Sequence, residues 1–172
     1  DAAAPAPSPP PTVPEPSPDP ALYRALADAC ARDGLRGLRA QLDARLALDD
    51  ANPRLRALRD TLDAVEPLDR LTARALERAV GREIDLVYNG KTRKVVPQEV
   101  AGDKVSLFFG EQNRTVTLEL AALGDAEKIR LLGTPLEPHQ AAAAALRLLE
   151  TGDRAAARPY AAAAGPLAPI LT

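Results

Sequence analysis

Two residues suited to covalent or metal chemistry, Cys30 and His139, occur once each and lie far apart in the chain. A metal centre needs several ligands and a nucleophile needs a neighbouring base, so neither residue makes a site alone. Cys30 falls on the apolar face of a predicted helix, as a small buried hydrophobe does. His139 falls in the first turn of another helix. Asp49, Asp50 and Glu66 are candidate paired carboxylates, but they sit at predicted helix ends, where capping accounts for them. The glycines never cluster as a phosphate-cradling loop. The residues therefore point to no catalytic, cofactor or metal site, and a non-catalytic module is expected.

Phe108 is the more informative residue. Alternation turns Phe109, with Val105 and Leu107, toward a core, and leaves Phe108 facing the other way with Ser106. Tyr88 is the other aromatic of this region, and Lys91, Arg93 and Lys94 follow it. Phe108 and Tyr88 are expected to floor a groove beside the Lys91, Arg93, Lys94 cluster, suited to a protein or peptide ligand of acidic character. The competing expectation is that a flanking helix covers Phe108.

The elements that must position these residues follow from spacing. Asp19-Pro20 and Asn52-Pro53 each pair a capping acceptor with a proline at the first helical position. Gly34 and Pro67 divide the rest, so four short amphipathic helices are expected over 20–81, striped by Leu22, Leu26, Leu38, Leu42, Leu55, Leu58, Leu62, Leu71 and Leu76. At Gly81 the apolar period changes from helical to alternating. Ile84, Leu86 and Tyr88 alternate, Asn89-Gly90 signals a tight hairpin, and Pro97 inside the next strand requires an edge or a bulge. Two further alternating runs, Val105–Phe109 and Val116–Leu120, complete a four-stranded antiparallel meander, with a short helix closing residues 82–132. Thr134-Pro135-Leu136-Glu137 has capping-box spacing and is expected to open a long Ala-rich helix, paired with a second helix after Gly152-Asp153 and kinked at Pro159. Residues 133–164 thus read as a helical hairpin, either packed on the sheet or the first piece of a truncated array, and 165–172 as an apolar tail without an evident partner.

Composition bounds the rest. Nine of the 17 prolines lie in the first twenty residues, so 1–19 reads as a disordered, semi-extended Pro/Ala spacer. With three Tyr, two Phe and no Trp, the core must rest on Leu, Val and Ala. The net charge of −2 is spread as alternating signs along helices, which is no nucleic-acid footprint. No run reaches the ~20 apolar residues of a membrane span. The chain has no Met, so a fragment or processed product is expected, tethered outside the cytoplasm or to a membrane through an upstream segment.

Gly102-Asp103-Lys104-Val105-Ser106-Leu107 is followed by Thr115-Val116-Thr117-Leu118-Glu119-Leu120, then by Leu123-Gly124-Asp125-Ala126-Glu127. On these residues the stretch Gly90 to Leu132 resembles the Sla-one homology domain. This is a small SH3-like barrel of endocytic adaptors and bacterial multidomain proteins. Glu83 and Ile84 stand where that family commonly carries a Trp. The resemblance implies an SH3-like fold and, in eukaryotic members, binding of Asn-Pro-Phe type peptides. Ala145 to Ala164, through Gly152, Asp153, Ala156, Tyr160 and Ala163, looks like part of a tetratricopeptide unit.

The expectation is therefore an α+β chain acting as a binding or scaffolding module of a larger, envelope-associated bacterial protein. The alternatives are an accessory or sensory region of a membrane-anchored enzyme, such as a serine/threonine kinase, and a structural spacer.

Overall fold

A computed structural model describes residues 19–172; the Pro/Ala spacer lies outside the described residues, apart from its last residue, Asp19. The chain is α+β, with a four-stranded antiparallel sheet set between helical segments. In chain order the helices and strands are α1 (Pro20–Leu48), α2 (Pro53–Asp63), α3 (Leu68–Arg78), β1 (Ile84–Tyr88), β2 (Lys91–Ala101), β3 (Lys104–Phe109), β4 (Arg114–Glu119), α4 (Asp125–Leu131), α5 (Pro138–Glu150), α6 (Arg154–Ala162) and α7 (Ala168–Leu171).

The N-terminal half is built as its caps dictate. The Asp19 carboxylate accepts from Ala21 N at 3.0 Å, and Asn52 Oδ1 accepts from Arg54 N and Leu55 N at 3.1 and 3.2 Å. The two helices expected on either side of Gly34 are the two arms of α1. They meet at a sharp break where Asp33 has φ −126° and Gly34 has φ 59°. The reversal is tight: a Cβ on Gly37 would lie 2.5 Å from the Ala29 carbonyl oxygen, so only glycine fits there.

The sheet is a meander in the order β1-β2-β3-β4. The β1–β2 turn has positive φ at both Asn89 (51°) and Gly90 (70°), which matches the right-handed twist of the strands it joins. Pro97 sits at a register shift between Pro97 and Glu99, so the missing donor is absorbed by a bulge in a central strand. β1 and β4 are the two edges and do not pair with each other, so the sheet is open and not a closed barrel.

Burial falls into three adjoining clusters. The first joins α1, α2, α5, α6 and α7 through Leu26, Leu38, Leu62, Ala142, Ala161 and Ile170, with Leu167 of the turn before α7. The second sets Ala73 and Leu76 of α3 on Leu86, Val95, Val105, Leu107, Phe109, Leu118 and Leu120 of the sheet region. The third, Leu68, Ile129, Ala144, Leu148 and Ala157, lies where α3, α4, α5 and α6 meet. A buried cation crosses this junction, with Lys128 Nζ 2.6 Å from an Asp69 carboxylate oxygen, while Arg147 holds Asp125 at 3.1 Å. The Lys128 side chain is nearly dry, and Asp125 lies on its other side, 3.8 Å from Nζ, so two carboxylates face the buried ammonium.

Three expectations need correction. The Ala-rich helix opens at Pro138 and not at Pro135, with Glu137 N donating to Gln140 Oε1 at 3.0 Å. The hairpin α5–α6 does not add to the core of the sheet; its buried residues belong to the helical clusters. The tail has a partner, since Leu167, Ile170 and Leu171 are buried in the first cluster, against which α1 also packs.

Candidate functional site

In a meander, alternate turns share one end of the sheet. The β1–β2 turn at Asn89-Gly90 therefore lies beside the β3–β4 connection, a 3-10 turn over Gly110–Gln112 followed by Asn113 in the left-handed region (φ 47°). Between them opens a cleft of about 130 Å³ lined by Tyr88, Asn89, Arg93, Phe109, Gln112, Arg114 and Val116.

The register explains this grouping. Residues directly opposite in neighbouring antiparallel strands share a face. Leu86 faces Arg93, Tyr88 faces Lys91, Val95 faces both Ile84 and Phe109, and Phe109 faces Arg114. Tyr88, Lys91, Arg93, Phe109 and Arg114 therefore belong to the core face. Leu86 and Phe109 are buried there. Arg93 is half-buried and lines the cleft.

The expected five-residue groove is thereby divided. Phe108 pairs with Val96 and Thr115, and Lys94 pairs with Asp85, all on the opposite face. Phe108 and Tyr88 cannot floor one groove, because successive side chains of a strand point to opposite sides and the register fixes the side. Lys94 is also engaged, its ammonium 2.9 Å from Glu83 Oε1, which together with the Glu83 charge raises its pKa. Phe108 is half-buried beside half-buried Val96, and the helical side chains that join the sheet core, Ala73 and Leu76, lie with Phe109. Among the described residues, Lys91, Arg93 and Arg114 have no carboxylate within ion-pair distance. Of the five expected residues the cleft therefore takes Tyr88 and Arg93, joined by Asn89, Phe109, Gln112, Arg114 and Val116, while Lys91 stands opposite Tyr88 on the same face without lining the cleft. Strict alternation from Leu86 to Tyr88 was the signal that could have found this set.

The β1 edge of the sheet is closed by α4. Val87 N donates to Glu127 Oε1 at 2.8 Å, and the Arg130 guanidinium donates to Asp85 O and to both oxygens of Glu127. Burial pushes the Glu127 carboxyl up, but the Arg130 and Val87 hydrogen bonds and the Arg130 charge outweigh it and hold the pKa below the ordinary 4.5. A group with a depressed folded pKa stabilises above its unfolded pKa and loses that contribution as pH falls through the folded one. Wild-type urea midpoints should accordingly fall between about pH 5 and pH 3, and Glu127→Gln should flatten that slope. An unchanged slope would remove Glu127 from the account.

Cys30 is buried, and burial, with a smaller effect of the Glu150 carboxylate, pushes its thiol up to about 11, far from a reactive thiolate. Among the described residues, no group of three or more His, Cys, Asp or Glu side chains is placed to hold a metal ion, and no helix is long and apolar enough to cross a membrane. No family model, curated protein or solved structure matches the chain.

Proposed function

We propose that this chain is a non-catalytic binding module, part of a larger envelope-associated protein, and that it captures an acidic segment of a protein partner. The observation that carries this reading is the cleft itself. Arg93 and Arg114, which have no carboxylate within ion-pair distance among the described residues, line it together with Tyr88 and the buried Phe109. Guanidinium groups match carboxylates in a planar, two-pronged geometry, and the aromatic walls exclude water around the pair. The likeness to the Sla-one homology domain supports a peptide as the class of ligand.

The test is an anisotropy titration with a labelled acidic peptide and its amide counterpart, in which Asn replaces Asp. The acidic form should bind at least tenfold tighter. Arg93→Glu and Arg114→Glu should each weaken it by tenfold or more, about 1.4 kcal/mol per tenfold. Both positions are at least partly exposed, so circular dichroism should be unchanged. Equal affinity for the two peptides, or indifference to both reversals, would end the reading.

A further inference from the structure

The two edges of the sheet are treated differently. In an antiparallel pair, hydrogen-bonded and non-hydrogen-bonded residue pairs alternate, and residues of the second kind turn their N–H and C=O away from the partner strand. Leu120 N donates to Asp103 O at 2.7 Å, which sets the phase of β4. Leu118, Val116 and Arg114 then face β3, and Thr115, Thr117 and Glu119 present their backbone groups to the outside. The same reasoning on β1 turns Asp85 and Val87 outward, and those are the residues that Arg130 and Glu127 satisfy. On β4 the side chains of Thr115, Thr117 and Glu119 are exposed, and among the described residues no backbone group outside the sheet meets them.

Folded proteins usually blunt a free edge with proline, a bulge, a lysine or a covering element. β4 reads Arg-Thr-Val-Thr-Leu-Glu, without proline, lysine or a register shift. Its first residue, Arg114, is also a wall of the cleft. The edge and the basic cleft are therefore one continuous surface.

We infer that the partner segment adds to the sheet as an extended strand along β4, antiparallel to it, with an acidic group at its C-terminal end held by Arg114 and Arg93. The orientation follows from the site. A strand antiparallel to β4 ends beside Arg114, where the unpaired positive charge is concentrated. The affinity then comes from backbone hydrogen bonds at Thr115 and Thr117, and the choice of partner from the charge at the cleft. This inference rests on the acidic-ligand reading above, yet its main-chain component can fail separately.

The probe is acetyl-Thr-Val-Thr-Val-Asp-Asp-amide, with a twin carrying N-methyl groups on alternate amides. Saturating probe should slow amide hydrogen exchange at Thr115 and Thr117 at least tenfold in the wild-type chain. The N-methylated twin should bind at least tenfold more weakly. Thr117→Pro, which removes an outward N–H and no ladder bond, should weaken the probe to a similar degree with its thermal melt retained. If probe and twin bind equally and Thr115 and Thr117 stay unprotected, strand addition is overturned while the cleft reading stands. If both amides are protected but Arg93→Glu and Arg114→Glu bind normally, the cleft reading falls and the edge remains. A concentration-dependent dimer that Thr117→Pro dissociates would give the edge to a second copy and overturn the peptide. No binding at millimolar probe overturns both.

Discussion

Phe109→Ala should destabilise the chain by about 3–5 kcal/mol, the range for removing a buried aromatic. Phe109 is 5% exposed and packs in one cluster with Val95, Leu107 and Leu118. Its loss removes apolar contact and leaves a cavity where the neighbours, held by three strands and α3, cannot close in. Phe108→Ala, one residue earlier on the other face, should cost only about 1 kcal/mol, because a half-exposed ring gives up less area. Urea denaturation at neutral pH gives both values. The pair also separates the two faces functionally, since Phe108→Ala should leave acidic-peptide affinity unchanged. Comparable losses of stability in the two variants would refute the face assignment on which the cleft depends.

Ending the chain at Ala164 should unfold it at ambient temperature. The deletion removes Leu167, Ile170 and Leu171, exposed 0%, 5% and 6%, from the cluster that also holds Leu26, Leu38 and Leu62. At about 1.5–3 kcal/mol for each buried side chain, the loss is roughly 5–9 kcal/mol, comparable with a whole domain's stability of about 5–15 kcal/mol. Far-ultraviolet circular dichroism and a thermal melt decide the matter. A cooperative melt lowered by only a few degrees would mean that the tail is an accessory. Leu167→Ala alone, expected to cost about 2–5 kcal/mol, isolates the central contact.

The parts of this architecture that sequence reveals are those governed by neighbours in the chain. Asp19, Asn52 and Asp153 cap their helices as their positions imply, and Asn89-Gly90 makes the turn its backbone freedom favours. The opening of α5 was also within reach. With a start at Pro135, Pro138 would stand inside the helix, without a donor for the Thr134 carbonyl and with its ring against it. Starting at Pro138 removes the conflict. Register is a different matter. That Tyr88 meets Lys91, and Phe109 meets Arg114, depends on which residues cross strands. Once the Asn89-Gly90 turn is placed, that register follows for β1 and β2, but β3 is reached only through the bulge between Pro97 and Glu99, and that shift puts Phe108 opposite Val96, on the face away from Tyr88. The remaining contacts are long-range. An apolar stripe states that a face must be covered and is silent about which element covers it. The tail and α1, or Lys128 and Asp69, meet only once the helices are stacked.

The placement of α3 bears on how such a sheet is inherited. One helix sends Leu71 to the helical cluster, Ala73 and Leu76 to the sheet, and Leu68 to the junction between them. The change of period at Gly81 looks like a seam between two parts, yet a cut there would strip the strands of the helix that roofs them. The unit that recombination can move intact begins no later than α3 and reaches at least through α4. A transplant carrying only the strands would arrive with one face bare and, lacking Glu127 and Arg130, with both lateral edges open.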